Sequence, residues 1–527
     1  MDIWDQIENQ INIRSESQND NNTIIQTISK KPRSTLYDTK FTINITRDGT
    51  YILIKSHTQE FLKKIKNYFT LHDKTVMGYF KHTSLWKLTK DKLYIPRFGS
   101  FLLKNKFKTV TYISSILPQN PLPNMRYDGT FKGNQEIIYN HIMTKFFNPE
   151  SVNIGSSGLI LNEKAGRGKT FLAMYLIGVL KCKTLIVTHN TTMLGGWVKE
   201  ITEKFTGVSV GQYYGKKKID GDIVVGVINS LITDEFKFKK ETVKASEYYK
   251  TFDFIILDEC HEFYSEVRRK LYDKCSPTYM LGLSATPDER NDTLYKVGHY
   301  CIGPLLEAEK LEEYSEKEIN FKGHVTKISY SGPTEYTEHI ITESTGLTSV
   351  PLLIGQICED PYRLEMVVNL ILEQNKLGLN VLVFADRRSY LAIIQEALDI
   401  KSYMLTDENE QRVLESVNLM GGNTALQIRE AEQNNNVILT TYQFMGTGVS
   451  IPKLNSVVLT TPRKSKSKQF INRIFRLGSN YDIERQIIDI VDTKISLKSQ
   501  WYARKEYYDS QNFPIEDKKI SWKTYKI

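Results

Sequence analysis

Cysteine is scarce in this chain: five among 527 residues, at Cys182, Cys260, Cys275, Cys301 and Cys358, with no Cys-x-x-Cys pair. An odd, scattered set of this kind excludes a disulfide framework and a zinc ribbon as the source of stability. No apolar run is long enough to span a bilayer, and the N-terminus, Met-Asp-Ile-Trp-Asp-Gln, lacks a basic-then-apolar leader. The expectation is an intracellular, cytoplasmic protein of a reducing compartment, with no membrane partner. Disorder is excluded as the general state, because apolar residues make up 40% and aromatics 11% of the chain, enough for real cores. The formal charge of +9 is a modest pointer to a polyanionic partner in a chain this long.

What is present starts with Gly158-Leu-Ile-Leu-Asn-Glu-Lys-Ala-Gly-Arg-Gly-Lys-Thr170, then Phe-Leu-Ala-Met-Tyr-Leu-Ile-Gly-Val-Leu180. It reads as a buried strand, a glycine turn and an apolar helix. A turn entering a helix N-terminus presents unpaired N–H groups and the positive dipole end to a phosphate. Gly166, Arg167 and Gly168 form the turn, Lys169 supplies a charge for β- and γ-phosphates, and the Thr170 hydroxyl is a Mg²⁺ ligand candidate. The strict phosphate-loop pattern has glycine where this chain has Glu163. A plain glycine turn into a core helix competes with the loop until the downstream residues are read.

Those residues decide it. The strand candidate Phe252–Leu257 ends in Asp258-Glu-Cys-His261, and the next, Tyr279–Leu283, ends in Ser284-Ala-Thr-Pro287. Carboxylates at the C-terminal edge of a parallel strand face the ligand crevice of this architecture. Asp258 is placed to hold Mg²⁺ through water, and Glu259 to orient and deprotonate the water that attacks the γ-phosphorus. His261, Ser284 and Thr286 would link the nucleotide to the next motif. Further apolar strand candidates, Thr184–Thr188, Asp222–Ile228, Val381–Phe384, Val437–Thr440, Ser456–Leu459 and Gln486–Val491, alternate with helical stretches. The pattern is that of parallel sheets covered on both faces, two α/β units in tandem.

These blocks resemble motifs I, II and III of the superfamily 2 helicases, with an Asp-Glu-x-His box. Gly446-Thr-Gly-Val-Ser-Ile-Pro452 resembles motif V, and Gln469-Phe-Ile-Asn-Arg-Ile-Phe-Arg476 resembles motif VI, with Asn472 where the family has glycine and Ser450 where many relatives have aspartate. The resemblance spans roughly residues 125–495, and Thr441-Tyr-Gln-Phe-Met-Gly-Thr-Gly448 and Leu281-Gly-Leu-Ser-Ala-Thr-Pro-Asp-Glu-Arg290 look like the helicases of nucleocytoplasmic large DNA viruses, a group similar to the poxvirus transcript-release and phage branch-migration helicases. It implies two RecA-like domains, ATP and Mg²⁺ as cofactors, and Arg473 and Arg476 as arginine fingers. It also implies Gly448 at the nucleotide and Gln469 in coupling, while Gln135, opening a helix well upstream of the loop, is by its own chemistry a candidate to read an adenine edge by paired hydrogen bonds. A surface amide is the plainer reading of Gln135. The implied nucleic-acid track comprises Thr188, His189, Trp197, Ser230, Phe384, Arg387 and Thr441, although Trp197 reads as readily as core and Thr188 as a strand end.

The expected organisation is a polar lead-in over 1–35 and a small α+β accessory domain over 36–120. Then come the first RecA-like domain over 121–310, an inter-domain segment over 311–355, the second RecA-like domain over 356–495 and a basic aromatic tail over 496–527. The accessory domain interleaves Lys63, Lys64, Lys66, Tyr68, Phe69, Tyr79, Phe80, Lys81, Trp86 and Lys87. That is either a nucleic-acid face or a solvated basic rim. The expected activity is ATP-driven translocation on or unwinding of nucleic acid, DNA rather than RNA, with transcription machinery as a partner and the viral factory or virion as settings. A nucleotide-switched adaptor that does not unwind, and an RNA helicase, are the competing readings.

Overall fold

The structure is a computed structural model of the 527-residue chain. It describes residues 37–525 except 75–79, 165, 239–240, 289–291, 315–321, 339–348, 405–413, 421–422, 424, 446–450, 464–469, 476–479, 481 and 494–496. The chain divides into two compact units, one running to Ser315 apart from the three loop residues 165–167, the other from Glu316 onward.

The first unit opens with a five-stranded sheet of β1 (Tyr37–Thr46), β2 (Gly49–Leu53), β3 (Lys87–Leu88), β4 (Lys92–Tyr94) and β5 (Phe107–Ser114), in the order β3-β4-β2-β1-β5. Helix α1 (Gln59–Tyr68) matches its sequence expectation; Thr58 caps it by accepting from the Phe61 N–H, and Phe61, Leu62 and Ile65 form its buried face. That spacing of one, three and four residues is the helical period. Some of the accessory aromatics point inward. Phe69 and Phe98 are fully buried and belong to the same core as Met280, Tyr300 and Ile302 of the following domain. Helix α2 (Arg97–Phe101) lies so close to that domain that a Cβ on Gly158 would meet the Phe98 ring at 2.2 Å. Of the basic-aromatic set, Phe69 is core, Tyr68 is half-buried and stacks on Tyr300, and Trp86 is half-buried and donates to the Thr70 hydroxyl, while Lys63, Lys64, Lys81 and Lys87 are exposed; Tyr79 and the Phe80 side chain lie outside the described residues.

The main sheet of this unit has eight strands: β6 (Gly158–Asn162), β7 (Thr184–Thr188), β8 (Val210–Tyr214), β9 (Lys217–Ile219), β10 (Ile223–Val227), β11 (Phe254–Asp258), β12 (Tyr279–Ser284) and β13 (Leu305–Glu307). Their order is β9-β8-β10-β7-β11-β12-β6-β13, parallel except for the edge strand β9. Leu159, Ile160, Leu185, Ile186, Ile255 and Ile256 are fully buried, as continuous apolar strands covered on both faces must be. Three helices matter for the site: α3 (Gln135–Lys145), α4 (Lys169–Leu180) and α5 (Thr191–Lys204).

The second unit holds a seven-stranded sheet of β14 (Gly323–Ser331), β15 (Val381–Ala385), β16 (Ser416–Leu419), β17 (Val437–Thr441), β18 (Ser456–Leu459), β19 (Arg485–Asp492) and β20 (Ile515–Ser521). The order is β16-β17-β15-β18-β19-β14-β20, every pairing parallel. Two expectations change here. The segment 311–355 carries β14, an inner strand of the sheet, and the tail beyond 496 carries helix α6 (Lys498–Ser510) and the edge strand β20. Arg504 of α6 forms a buried two-pronged pair with Asp489 of β19, at 2.8 and 2.7 Å, and Tyr508 donates to the same carboxylate at 2.8 Å. Among the described residues no helix is long and apolar enough to cross a membrane.

Candidate active site

Because the strands of the first main sheet run parallel, the ends of β6, β7, β10, β11 and β12 open at one edge. Asn162, Thr188, Val227, Asp258 and Ser284 end those strands, so the segments that follow them share that edge. The turn after β6 places Gly166 and Gly168 at positive φ, +81° and +92°. Both are in the left-handed region that only glycine enters freely. A Cβ on Gly168 would sit 2.2 Å from the Gln135 Nε2. Gln135 is 8% exposed and accepts from the Lys132 N–H at 2.9 Å. The plainer reading of Gln135 as a surface amide is thus corrected. It is the first residue of α3, set against the phosphate loop, a placement one glutamine in a sequence cannot announce.

Lys169 and Thr170 begin α4, where the N–H groups of the first turn lack intrahelical acceptors. The Lys169 ammonium donates to the carbonyls of Glu163, at 2.6 Å, and Lys164, at 3.2 Å. Glu163, the departure from the loop pattern, is buried, and its Oε1 accepts from the Tyr314 hydroxyl at 2.9 Å. Its side chain is thus engaged below the loop, while its carbonyl holds the lysine.

On β11, Asp258 Oδ2 accepts from the Trp197 indole N–H at 2.7 Å. Burial, reinforced by the Glu259 charge, pushes the Asp258 carboxyl up to about 7; the Trp197 bond and the Lys169 charge oppose the shift. Glu259 itself adopts φ +53°, a left-handed position for a non-glycine residue. Its Oε2 is buried and has no hydrogen-bond partner among the described residues. Next along, His261 Nδ1 lies 3.5 Å from that oxygen and shares a 2.8 Å hydrogen bond with the Ser284 hydroxyl, which also accepts from the Thr286 N–H at 3.0 Å. One imidazole therefore lies between Glu259, by a close ionic contact, and the strand-end hydroxyls, by a hydrogen bond.

The expected nucleic-acid residues separate into two groups. Trp197 is 3% exposed and committed to Asp258, which removes it from any surface track and makes it a site residue that sequence reading misassigned. Thr188 is fully buried, its hydroxyl donating to the Asn190 carbonyl; Thr441 is buried and accepts from the Phe444 N–H. Phe384 is fully buried with its ring stacked on Tyr442. By contrast His189 is half-buried, Ser230 is half-buried and accepts from the Gly215 N–H, and Arg387 is exposed and donates to the Pro351 carbonyl.

In the second unit Arg473 is 9% exposed, in a single turn over Asn472–Ile474. Asn472 is not merely a changed turn residue: its Oδ1 accepts from the Tyr507 hydroxyl of α6. Arg463 pairs with Asp386 at 3.0 Å. Gly448, Ser450, Gln469 and Arg476 lie outside the described residues.

Residues 130–289, which carry the loop, the acidic pair and Ser284, match the family described as Type III restriction enzyme, res subunit. The chain is 26% identical over 491 residues to QP509L of African swine fever virus (strain Badajoz 1971 Vero-adapted), which carries a provisional ATP-dependent RNA helicase name; the match covers 88% of this chain and 90% of that protein. The chain is of the superfamily 2 helicase type. It is also 25% identical over 336 residues to the transcript termination protein A18 of fowlpox virus, covering 60% of this chain and 66% of that one. Among solved structures it is similar to T4 UvsW, at 16% identity and a TM-score of 0.34, covering 92% of this chain and 100% of that one. The superfamily 2 type carries with it the enzyme class, a nucleic-acid-stimulated nucleoside triphosphatase.

Proposed function

We propose that this helicase-type chain hydrolyses ATP at the edge where Lys169, Asp258 and Glu259 sit and uses the cycle to move along nucleic acid, with DNA as the track. The observation that carries the reading is the buried, hydrogen-bond-free Oε2 of Glu259 beside an Asp258 oriented by Trp197. A buried carboxylate oxygen without a donor is costly unless a ligand or water completes it. Here it suits the position of a general base for the attacking water.

In this scheme Lys169 leaves the carbonyls of Glu163 and Lys164 for the phosphates, and the N–H groups around Gly166 and Gly168 cradle them. Thr170 and the Asp258 carboxylate would hold Mg²⁺, which supplies charge neutralisation at the β- and γ-oxygens. Oxygen donors of this kind fit that ion, and Asp258 has Oδ1 left over from its Trp197 bond. Gln135, against Gly168, contacts the bound nucleotide. The pathway His261–Ser284–Thr286 passes the state of Glu259 to the end of β12. Arg473 and Arg476 are the fingers that complete the charge on the γ-phosphate, with Gly448 at the nucleotide and Gln469 in coupling. His189, Ser230 and Arg387 are the phosphate contacts of the track.

DNA is favoured by the relative named DNA 3'-5' translocase XPB2 of Sulfurisphaera tokodaii, 29% identical over 154 residues. The fowlpox relative, named a transcript termination protein, supports a place in transcription. An RNA track is the second reading, supported by the provisional RNA helicase names of the African swine fever virus and mimivirus relatives. ATP turnover measured with single-stranded DNA, duplex DNA and RNA at one fixed salt concentration tests both, since affinity for any polyanion moves with ionic strength. DNA stimulating turnover above RNA supports the first reading, and the reverse order supports the second. Equal turnover with and without every polynucleotide overturns the motor.

A further inference from the structure

The five-stranded accessory sheet turns one face to an apolar core and the other outward. Phe41, Ile43, Ile45, Ile52 and Leu93 alternate onto the inner face and are buried. The same alternation sends Lys40, Thr42 and Asn44 of β1, Tyr51 of β2, and Lys92 and Tyr94 of β4 to the outer face, and none of the six is buried. Register carries this face from strand to strand: Asn44 lies opposite Tyr51, Tyr51 opposite Tyr94, and Tyr94 opposite Lys87 of β3. Toward the far edge Asn44 lies opposite Ile113 of β5, and beside Lys92 lies Leu53. Ile113 is 56% and Leu53 45% exposed, so the face shows large apolar side chains as well as lysines.

The two tyrosines are neighbours, with ring centroids 5.6 Å apart at 57°, and the Lys92 ammonium lies 4.0 Å from the Tyr51 centroid. The Tyr94 ring lies over the bare backbone of Gly49, where a Cβ would meet its Cδ1 at 3.2 Å. No carboxylate stands at any outward position of these strands. Those near the strand ends are engaged elsewhere: Asp38 faces Lys108 at 3.0 Å, Asp48 faces Lys250 at 2.7 Å, and Asp91 faces Lys55 at 3.7 Å. Aromatic and apolar groups beside unbalanced positive charge complement a ligand made of flat rings on an anionic chain. A duplex hides the faces of its bases, so the match is to a single strand. We infer that the outer face of the accessory sheet is a binding surface for single-stranded DNA. Bases stack on Tyr51 and Tyr94, while Lys40, Lys87 and Lys92 hold the phosphates. Five strands about 4.8 Å apart span roughly 19 Å, room for a run of several nucleotides. The inference rests on the reading of the chain as a DNA motor, to which it adds a grip outside the ATP-binding sheet.

The test is ultraviolet cross-linking of the full chain to oligodeoxythymidylate carrying 5-iodouracil, with the adducts located by mass spectrometry, beside anisotropy titration of the same strand. The expected result is an adduct on Tyr51 or Tyr94. Replacing both, Tyr51→Ala with Tyr94→Ala, should weaken single-strand binding by at least about fivefold, the effect of losing a stacked base. Lys40→Gln and Lys92→Gln should each flatten the dependence of log affinity on log salt by about 0.7. Melting curves and ATP turnover without polynucleotide, both expected at the parent level, show that the variants are folded. Adducts confined to other segments, or a folded double-tyrosine variant that binds the strand as the parent does, overturn the surface. An equal or greater loss in that variant for duplex DNA, RNA or polyglutamate overturns the assignment to single-stranded DNA. Missing adducts with turnover still stimulated by DNA sink this surface alone, whereas unstimulated turnover sinks the motor and leaves the adducts measurable.

Discussion

The indole N–H of Trp197, on α5, donates to Asp258 Oδ2, at the end of β11, across 2.7 Å. A large apolar side chain is thereby made part of an ionic site, for it orients the carboxylate and removes one of its oxygens from competition for a metal. Trp197→Phe keeps most of the buried ring and deletes the donor. Loss of a donor to a buried charged group costs about 1.5–3 kcal/mol, so turnover at neutral pH should fall by roughly tenfold or more. Because the bond lowers the Asp258 pKa, the acid limb of the rate profile should move upward in the variant. An unshifted profile would reduce Trp197 to packing.

Asp258 also fixes a pH dependence. Its carboxyl is raised from the ordinary 3.8 to about 7 by burial and by Glu259. Between those values the unfolded chain has already released a proton that the ligand-free fold retains. This group's contribution to stability is therefore full at low pH and lost as pH rises toward the folded value. Metal needs the carboxylate, so the two equilibria oppose each other. Magnesium–nucleotide affinity should be greater at pH 8 than at pH 6, with proton uptake by buffer on binding near pH 7. Titration calorimetry in two buffers of different ionisation enthalpy measures that proton.

Gly168 has no room for a side chain. At φ +92°, with Gln135 Nε2 only 2.2 Å from where a Cβ would stand, alanine brings both backbone strain and a clash with Gln135. Gly168→Ala should weaken nucleotide binding by at least about tenfold, because strain at such a position costs of order 1–3 kcal/mol. The added Gln135→Ala change vacates the space but also removes the proposed nucleotide contact, so the double variant should bind no better than Gly168→Ala, and recovery would show that Gln135 acts only as a steric neighbour. Fluorescent-nucleotide titration of the single and double variants separates the two contributions.

These residues show where sequence was informative. The alternation of apolar strands and helices gave the parallel sheets, because strands buried on both faces have little freedom of composition. The loop and the acidic pair were legible because phosphate and metal chemistry restrict residue types at fixed spacing. Trp197 was not, since a tryptophan on a helix carries no mark of the partner its N–H will meet 61 residues later. The strand β20 was hidden for a related reason: Ile515-Glu-Asp-Lys-Lys-Ile-Ser521 is an edge strand, largely polar, and lacks the buried-strand signature. Nor could sequence say that Phe69, among the accessory aromatics, would be covered by the following domain.

What attaches the accessory sheet is more specific than apolar cover. Arg47, beside the β1–β2 turn, reaches Asp253, one residue before β11, and donates as well to the carbonyls of Phe252 and Leu117, both at 2.7 Å, and to the Thr278 hydroxyl at 3.0 Å. Asp253 is fully buried and also accepts from the main-chain N–H groups of Gln119, at 3.0 Å, and Asn120, at 2.7 Å. Arg47→Met leaves that carboxylate with its amide donors but without its cation. Removing one partner of a buried pair costs about 3–5 kcal/mol. Asp253→Asn keeps shape and some hydrogen bonding, so it should cost less. The double variant should be less damaged than the sum of the two, since no charge is then stranded. Urea unfolding of the three variants and the parent chain measures this coupling, and an additive result would mean that the apolar core around Phe69 and Phe98, not the ion pair, holds the sheet in place.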